Sequence, residues 1–369
     1  MQTWIEVNKK AIEYNLKQIR QKIGRDVLLM PVIKANAYGH GFLETAKICN
    51  QNKEVDRICV ANSDEALRLI ELTKKPIQIL SFYDLDKKIL LKLAKNAMIF
   101  PVYDQRQAKI LDKVGDNVRK KIKIHLKIDT GTSRLGILPN NLVNFTNDIK
   151  NFKNLNIEGV FSHFSSSEED REVTIQQLEI FNKATNLLSQ QGINPAIRHI
   201  TCSAATILYP ESHFDAVRIG ISLYGLHPSD QANIAIKLKP VLSWHTKIIQ
   251  VKKVPSQTKI SYDCTYTTNR PTKLAILPIG YWDGFDRGLS NKGLVLIKGI
   301  KCPILGRVCM NLSIVDITNI PEVNAGEQAT LIGTQGHQTI TAQDMAKWAG
   351  TINYEIIDRI NPLLPRIIK

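Results

Sequence analysis

Short apolar or β-branched runs recur at residues 27–33, 57–60, 77–80, 98–101, 122–128, 158–161, 198–201 and 216–220, with polar segments between them. Most intervals place apolar residues at three- and four-residue spacing, which predicts helices over 41–50, 64–74, 84–95, 104–114, 140–149 and 170–190. Eight strands in alternation with helices predict an α/β fold built on a parallel (β/α)₈ barrel of the TIM type. An open doubly wound sheet more often has fewer strands and a Gly-rich dinucleotide turn. No G-x-G-x-x-G follows the first run.

The pattern changes at 228–235, a polar Pro-Ser-Asp-Gln stretch that reads as a linker. Beyond it, the runs 244–251, 273–279, 293–297, 313–316 and 328–332 are short and separated by turn residues, and helical spacing returns only at 342–348 and 353–360. A mostly antiparallel β domain follows from this. The expected division is a barrel domain over 1–233 and a carboxyl-terminal β domain over 234–369.

Composition narrows the class. Residues 1–8 hold no apolar core of signal-peptide length, and no run approaches the ~18 apolar residues of a membrane span. A cytoplasmic protein without a membrane partner is expected. The six cysteines are dispersed without a Cys-x-x-Cys pair, which points to individually packed thiols, no metal site and no disulfide framework. The net charge of +15 raises a nucleic-acid reading. The lysines, however, are scattered among aspartates through amphipathic segments such as 84–95 and 112–123, without a basic block interleaved with aromatics. No nucleic-acid partner is expected.

In a barrel of this kind the chemistry stands at the carboxyl ends of the strands, with phosphate bound after the seventh and eighth. Lys34 ends the first run and opens Lys-Ala-Asn-Ala-Tyr-Gly-His-Gly. A lysine anchored by a rigid strand suits Schiff-base chemistry, although a snorkelling surface amine has the same local sequence. After the seventh run comes Ser203, placed to cap a short helix whose amides face an anion, or simply to cap it. After the eighth come Arg218, Gly220 and Ile221, where glycine allows close approach to a phosphate. Lys127 and Asp129 end the fifth run, Arg134 follows, and His163 ends the sixth. Lys127 with Asp129 also reads as an ion pair and His163 as a structural histidine.

The wording of these segments resembles the pyridoxal-phosphate-dependent alanine racemases. The resemblance covers 31–41, 125–136 (HLKIDTGTSRLG), 162–164, 199–208, 214–225 (FDAVRIGISLYG), 261–266, 277–287 (LPIGYWDGFDR), 306–316 (GRVCMNLSIVD) and the segment around Tyr354. It implies a racemase that interconverts L- and D-alanine for peptidoglycan, with pyridoxal 5′-phosphate as cofactor and alanine as substrate. It also implies a homodimer with shared active sites.

By the same resemblance, Lys34 would hold the cofactor and act as base on one face of the α-carbon, and Tyr262 from the partner subunit would act on the other. Inversion needs proton removal on one side and return on the other, which one side chain cannot easily do alone. Arg218 would face the pyridine nitrogen, which an obligate donor leaves unprotonated. His163 would link Arg218 to Tyr262. Arg134 would touch the cofactor's phenolic oxygen or the substrate carboxylate, and Lys127 resembles a lysine that the family carries as a carbamate. Tyr38, Ser203 and Tyr354, with the amides of Ser203, Gly220 and Ile221, would hold the phosphate. Tyr281, Met310 and position 311 would form the substrate pocket.

Four positions depart from the family pattern. Cys202 stands in place of asparagine, Asp263 in place of glycine, Asn311 in place of aspartate and Trp282 in place of a small residue. They bear on rate and substrate range. A basic amino-acid decarboxylase of the same architecture usually has glutamate where Arg218 stands. A barrel-only cofactor carrier lacks the β domain and Tyr262. A racemase for serine or a broader set of amino acids is the alternative that these residues exclude least.

Overall fold

The computed structural model describes residues 1–83, 86–228 and 236–369. Strand β1 (Thr3–Val7) comes first. Eight short strands follow: β2 (Leu28–Pro31), β3 (Ile58–Val60), β4 (Ile77–Ile79), β5 (Met98–Val102), β6 (Ile122–Lys127), β7 (Leu155–Phe161), β8 (Ile197–His199) and β9 (Ala216–Ile219). Each falls on one of the eight apolar runs of the sequence. β3 to β8 pair in sequence order and β2 pairs with β9, all in parallel. Ile33 N donates to Cys59 O at 2.9 Å beside a Val32–Cys59 bridge, which joins β2 to β3. At the other edge Asp215 N donates to Arg198 O at 3.1 Å, drawing β9 to β8. The parallel sheet therefore curls on itself as an α/β barrel.

The outer helices fall on the predicted segments, although the one expected over 64–74 ends at Leu69, and three of their starts are set by aspartate caps. Asp86, Asp104 and Asp170 each accept backbone amides in the first turn of helices Lys87–Ala94, Gln105–Val118 and Arg171–Gln190. Ala108, Leu111 and Val114 line the buried face of the second of these. The start of the expected helix at Asp84 and most of the linker at 228–235 lie outside the described residues, as does the expected boundary at 233/234.

After the barrel come β10 (Leu242–Lys247), β11 (Gln250–Val254), β12 (Lys259–Ile260), β13 (Tyr266–Thr267), β14 (Thr272–Leu277), β15 (Leu294–Ile297), β16 (Ile300–Pro303), β17 (Ser313–Asp316), β18 (Gln328–Gln335), β19 (Gln338–Ile340) and β20 (Arg366–Ile368). One sheet has the order β16-β15-β18-β10-β1-β20, with β19 on β18; β11-β14-β17 form a second. Nearly all pairs are antiparallel, as expected, except that β20 runs parallel to β1. The single run expected at 244–251 is two strands in different sheets, because the chain turns between Lys247 and Gln250 where Ile248 packs inward. Trp244 is fully buried, edge-on to Phe285 at 5.9 Å.

Two compact units result. One comprises Ala11–Lys34 and Thr45–Lys239; the other comprises Met1–Lys10, Ala35–Glu44 and Pro240–Lys369. No described helix is long and apolar enough to cross a membrane.

Candidate active site

Lys34 is the last residue of the barrel's first segment. The four residues after it, Ala35, Asn36, Ala37 and Tyr38, all have φ between 52° and 55° and form a left-handed turn. Such a backbone costs L-residues roughly 1–2 kcal/mol each. The turn is held from within: Gly41 N donates to Asn36 O at 2.9 Å and Phe42 N to the Asn36 side chain at 2.9 Å. His40 is buried, and burial pulls its pKa down to about 4, so the neutral ring donates from Nδ1 to Tyr38 O at 2.7 Å. Gly39 has φ +76°, and a Cβ there would lie 1.9 Å from Ile357 O, so only glycine fits.

At the carboxyl end of β6, Asp129 does not serve as a simple partner of Lys127. Its Oδ1 accepts the amides of Gly131, Thr132 and Ser133 at 3.0–3.1 Å and so shapes the loop that carries Arg134. Lys127 lies over the Phe161 ring at 5.4 Å. Burial, with Arg134 and Arg218 nearby, lowers its pKa to about 8. Desolvation and three neighbouring cations, Arg134, Arg218 and Lys34, all disfavour its charge.

Arg218, on β9, is 3% exposed. Its Nη2 donates to Ser162 O at 2.7 Å, Ile200 O at 3.0 Å and His163 Nδ1 at 3.3 Å, and its Nη1 donates to His199 Nδ1. Burial lowers its pKa to about 10, which still leaves it charged at neutral pH. Burial and then the charges of Arg218, Arg134, Lys34 and Lys127 hold His163 well below the usual imidazole range, hence neutral.

Ser203 is not the helix cap. Cys202 occupies that position with an extended backbone, and Ser203 is the first residue of helix Ser203–Leu208. Its Oγ turns instead to the amides of Gly220 at 2.9 Å and Ser222 at 3.3 Å, tying the two strand ends that the sequence singled out. Gly220 has φ −105°, so close approach and not a left-handed backbone is what glycine offers here, and Ile221 starts a short 3₁₀ turn.

The other expected residues lie in the β unit. Tyr262 is 71% exposed, on a turn where Ser261 and Asp263 have φ of 64° and 59°. Asp263 thus keeps a left-handed backbone although it is not glycine, and Arg307 lies 3.5 Å from its carboxylate. Tyr281 and Met310, 43% and 54% exposed, sit on adjoining loops joined by Tyr281 N to Cys309 O and Trp282 N to Met310 O. Tyr38 and Tyr354 have ring centroids 6.1 Å apart.

Within the barrel, then, Lys34, Lys127, Arg134, His163 and Arg218 come together, as do Ser203 and Gly220. Within the β unit the pairs are Tyr38 with Tyr354 and Tyr281 with Met310; Tyr262 projects from an exposed turn of its own. Sequence reasoning missed the partners behind Arg218, which are His199, His125, Glu158 and Arg57. One signal was available: His125, Lys127 and Asp129 recur at period two, which puts an unusual row of ionisable groups on one face of a strand. Several cations surrounding an amine at a barrel end suit an anionic, carbonyl-bearing ligand.

Comparison with known proteins agrees with this chemistry. Residues 7–228 match the model of the alanine racemase N-terminal domain and residues 241–368 that of the alanine racemase C-terminal domain. The chain is 40% identical to an alanine racemase of Methanococcus maripaludis, over 99% of this chain and 98% of that protein. It is likewise 40% identical to one of Halothermothrix orenii, over 100% and 97%. The crystal structure of the Bacillus anthracis alanine racemase with bound L-Ala-P superposes with a TM-score of 0.92 at 35% identity, covering 100% of this chain and 95% of that one. The chain belongs to the alanine racemase family, isomerases that interconvert L- and D-alanine.

Proposed function

We propose that the chain works as a homodimer that binds pyridoxal 5′-phosphate, with Lys34 of one subunit and Tyr262 of the partner subunit as the two bases. The observation that carries this reading is a division of labour between the units. The barrel gathers an amine among cations, whereas the candidate second base stands exposed on a turn of the β unit.

The alanine racemase family depends on pyridoxal phosphate, and the barrel residues fit that group. A dianionic phosphate and a phenolate oxygen would offset the charges of Lys34, Lys127, Arg134 and Arg218. Asp129, the carboxylate beside them, is committed to its own loop. Lys34 would hold the aldehyde carbon and Arg218 the ring nitrogen. Arg134 would meet the phenolic oxygen or the substrate carboxylate. Ser203, Gly220 and Ile221 would hold the phosphate together with the hydroxyls of Tyr38 and Tyr354. Bound there, the cofactor supplies an electron sink that acidifies the substrate's α-hydrogen.

The residues then handle the proton. Lys34 takes it from, or returns it to, one face of the α-carbon, and Tyr262 of the partner subunit serves the opposite face. His163, which accepts from Arg218, would link it to that tyrosine. Arg218 cannot accept a hydrogen bond, so it would leave the ring nitrogen unprotonated and the sink moderate, which would favour return of the proton over competing cleavage. Tyr281 and Met310 border the substrate side chain and keep it small. D-alanine for peptidoglycan is the cellular product of this reading, made in the cytoplasm.

Borohydride reduction of the cofactor-loaded protein should label the peptide that contains Lys34, and Lys34→Ala should lower kcat by at least ~10²-fold. A label on any other lysine overturns the assignment.

Carbamylation of Lys127 would need its neutral amine, whose fraction grows as pH rises towards the pKa of about 8. Protein stripped of carbon dioxide should regain activity at fixed dissolved CO₂ with a rate that climbs ~tenfold per pH unit below 8 and levels off above it. A rate indifferent to pH contradicts the carbamate.

Tyr262→Ala should impair solvent-deuterium exchange at the α-carbon of L-alanine far more than of D-alanine. Equal loss from both enantiomers removes the two-base assignment. Mixed dimers of Lys34→Ala and Tyr262→Ala chains should regain one working site, and verified mixed dimers without activity would speak against shared sites.

A further inference from the structure

Barrel interiors are ordinarily filled by branched apolar side chains. In this barrel Arg218 on β9, His199 on β8, His125 on β6 and Glu158 on β7 form one continuous hydrogen-bonded series. Arg218 Nη1 contacts His199 Nδ1, His199 Nε2 lies 2.8 Å from His125 Nδ1, and His125 Nε2 lies 3.2 Å from Glu158 Oε2. The same Glu158 oxygen accepts from Arg57 Nη1 at 2.7 Å, and its other oxygen accepts from Lys123 Nζ at 2.7 Å. Arg57 immediately precedes β3, which is four places from β7 in the strand order, so the series runs through the barrel interior. His125 and His199 have no exposed surface at all.

The two ends fix the direction of every bond. A guanidinium only donates, so His199 Nδ1 must accept and its proton must sit on Nε2. That proton is given to His125 Nδ1, which leaves His125 protonated on Nε2 and donating to Glu158. A carboxylate only accepts, so the far end demands the same tautomers. Burial opposes the charge of Glu158, but hydrogen bonds from His125, Lys123 and Arg57 outweigh it and hold the carboxyl well below its usual range. Burial keeps both imidazoles neutral, with Arg218 adding to the effect on His199.

A second feature points the same way. A Cβ at Gly159 would lie 2.4 Å from His125 Cε1 and 2.6 Å from its Nδ1, and Gly159 has no left-handed φ to require glycine. Glycine on β7 is there to admit the imidazole.

We infer that Glu158 is a positioning residue for Arg218: through His125 and His199 it sustains a one-way relay that presents an acceptor to the guanidinium and supplies a remote counter-charge. The effect on catalysis rests on the placement of Arg218 at the cofactor ring; the relay itself does not.

The test has two arms. In holoenzyme labelled with ¹⁵N in its histidines, His125 and His199 should both be neutral and protonated on Nε2 throughout the neutral pH range. A proton on Nδ1 of either ring overturns the relay, whatever the activity. In the second arm, Glu158→Leu removes the acceptor and should lower kcat about tenfold while KM for alanine stays within about twofold, since the substrate contacts are untouched. Glu158→Gln keeps an oxygen for His125 and should recover most of the loss. A leucine variant as fast as wild type, or a glutamine variant as slow as leucine, refutes the positioning role. Should Glu158→Leu fail to fold, Gly159→Ala displaces the His125 ring without deleting any polar group and should show the same kcat loss; full activity there refutes the role equally.

Discussion

A buried guanidinium cannot lose its proton cheaply and cannot accept a hydrogen bond, so every polar group that meets Arg218 must accept one. That constraint runs outward through the site. The carbonyls of Ser162 and Ile200 and the ring nitrogens of His163 and His199 meet this demand, and both histidines are consequently neutral. A heterocyclic nitrogen brought to the same guanidinium has no other role open to it than acceptor. Under the proposed function, that obligate donor at the end of β9 would leave the cofactor ring a moderate electron sink.

The remainder of the structure divides the chemistry between two kinds of support. The barrel fixes charge, because strand ends hold Lys34, Lys127 and Arg218 rigidly, and the Asp129 carboxylate freezes the loop leading to Arg134. The β unit presents Tyr262, Tyr281 and Met310 on exposed turns. Some turns of this unit use backbone that side chains resist, as at Ser261, Asp263 and the four residues after Lys34. Strain of this kind persists only where the surroundings over-determine it. Around Ala35–Tyr38 they do so through amides given to Asn36 and the closeness of Gly39 to Ile357 O.

Much of this was legible in the sequence, for identifiable reasons. Eight apolar runs at strand length between helical patterns specify the curled parallel sheet, since burial on both faces leaves a continuous apolar signature. Motifs at strand ends named Lys34, Lys127, Arg134 and His163, which lie near Arg218. What stayed hidden depends on tertiary pairing or local handedness. The hydrophobic pattern does not say that β1 joins β10 and β20 far along the chain, nor that 244–251 splits between two sheets. Ala-Asn-Ala-Tyr reads as a small-residue loop, and no pattern of polarity reports that it winds left-handed. Ser203 looks like a cap until Gly220 and Ser222 are seen to claim its oxygen. The relay from Arg218 to Glu158 draws on four strands, and only the alternation of His125 with Lys127 hinted at it.

The placement of Arg218 at the cofactor's ring nitrogen is tested most directly by nuclear magnetic resonance of the protein loaded with pyridoxal phosphate carrying ¹⁵N in the ring. The nitrogen should resonate as unprotonated in the wild-type protein, and Arg218→Glu, which replaces an obligate donor with an acceptor, should shift it to the protonated position. A protonated ring nitrogen in the wild-type protein, or one unmoved by Arg218→Glu, would contradict the account.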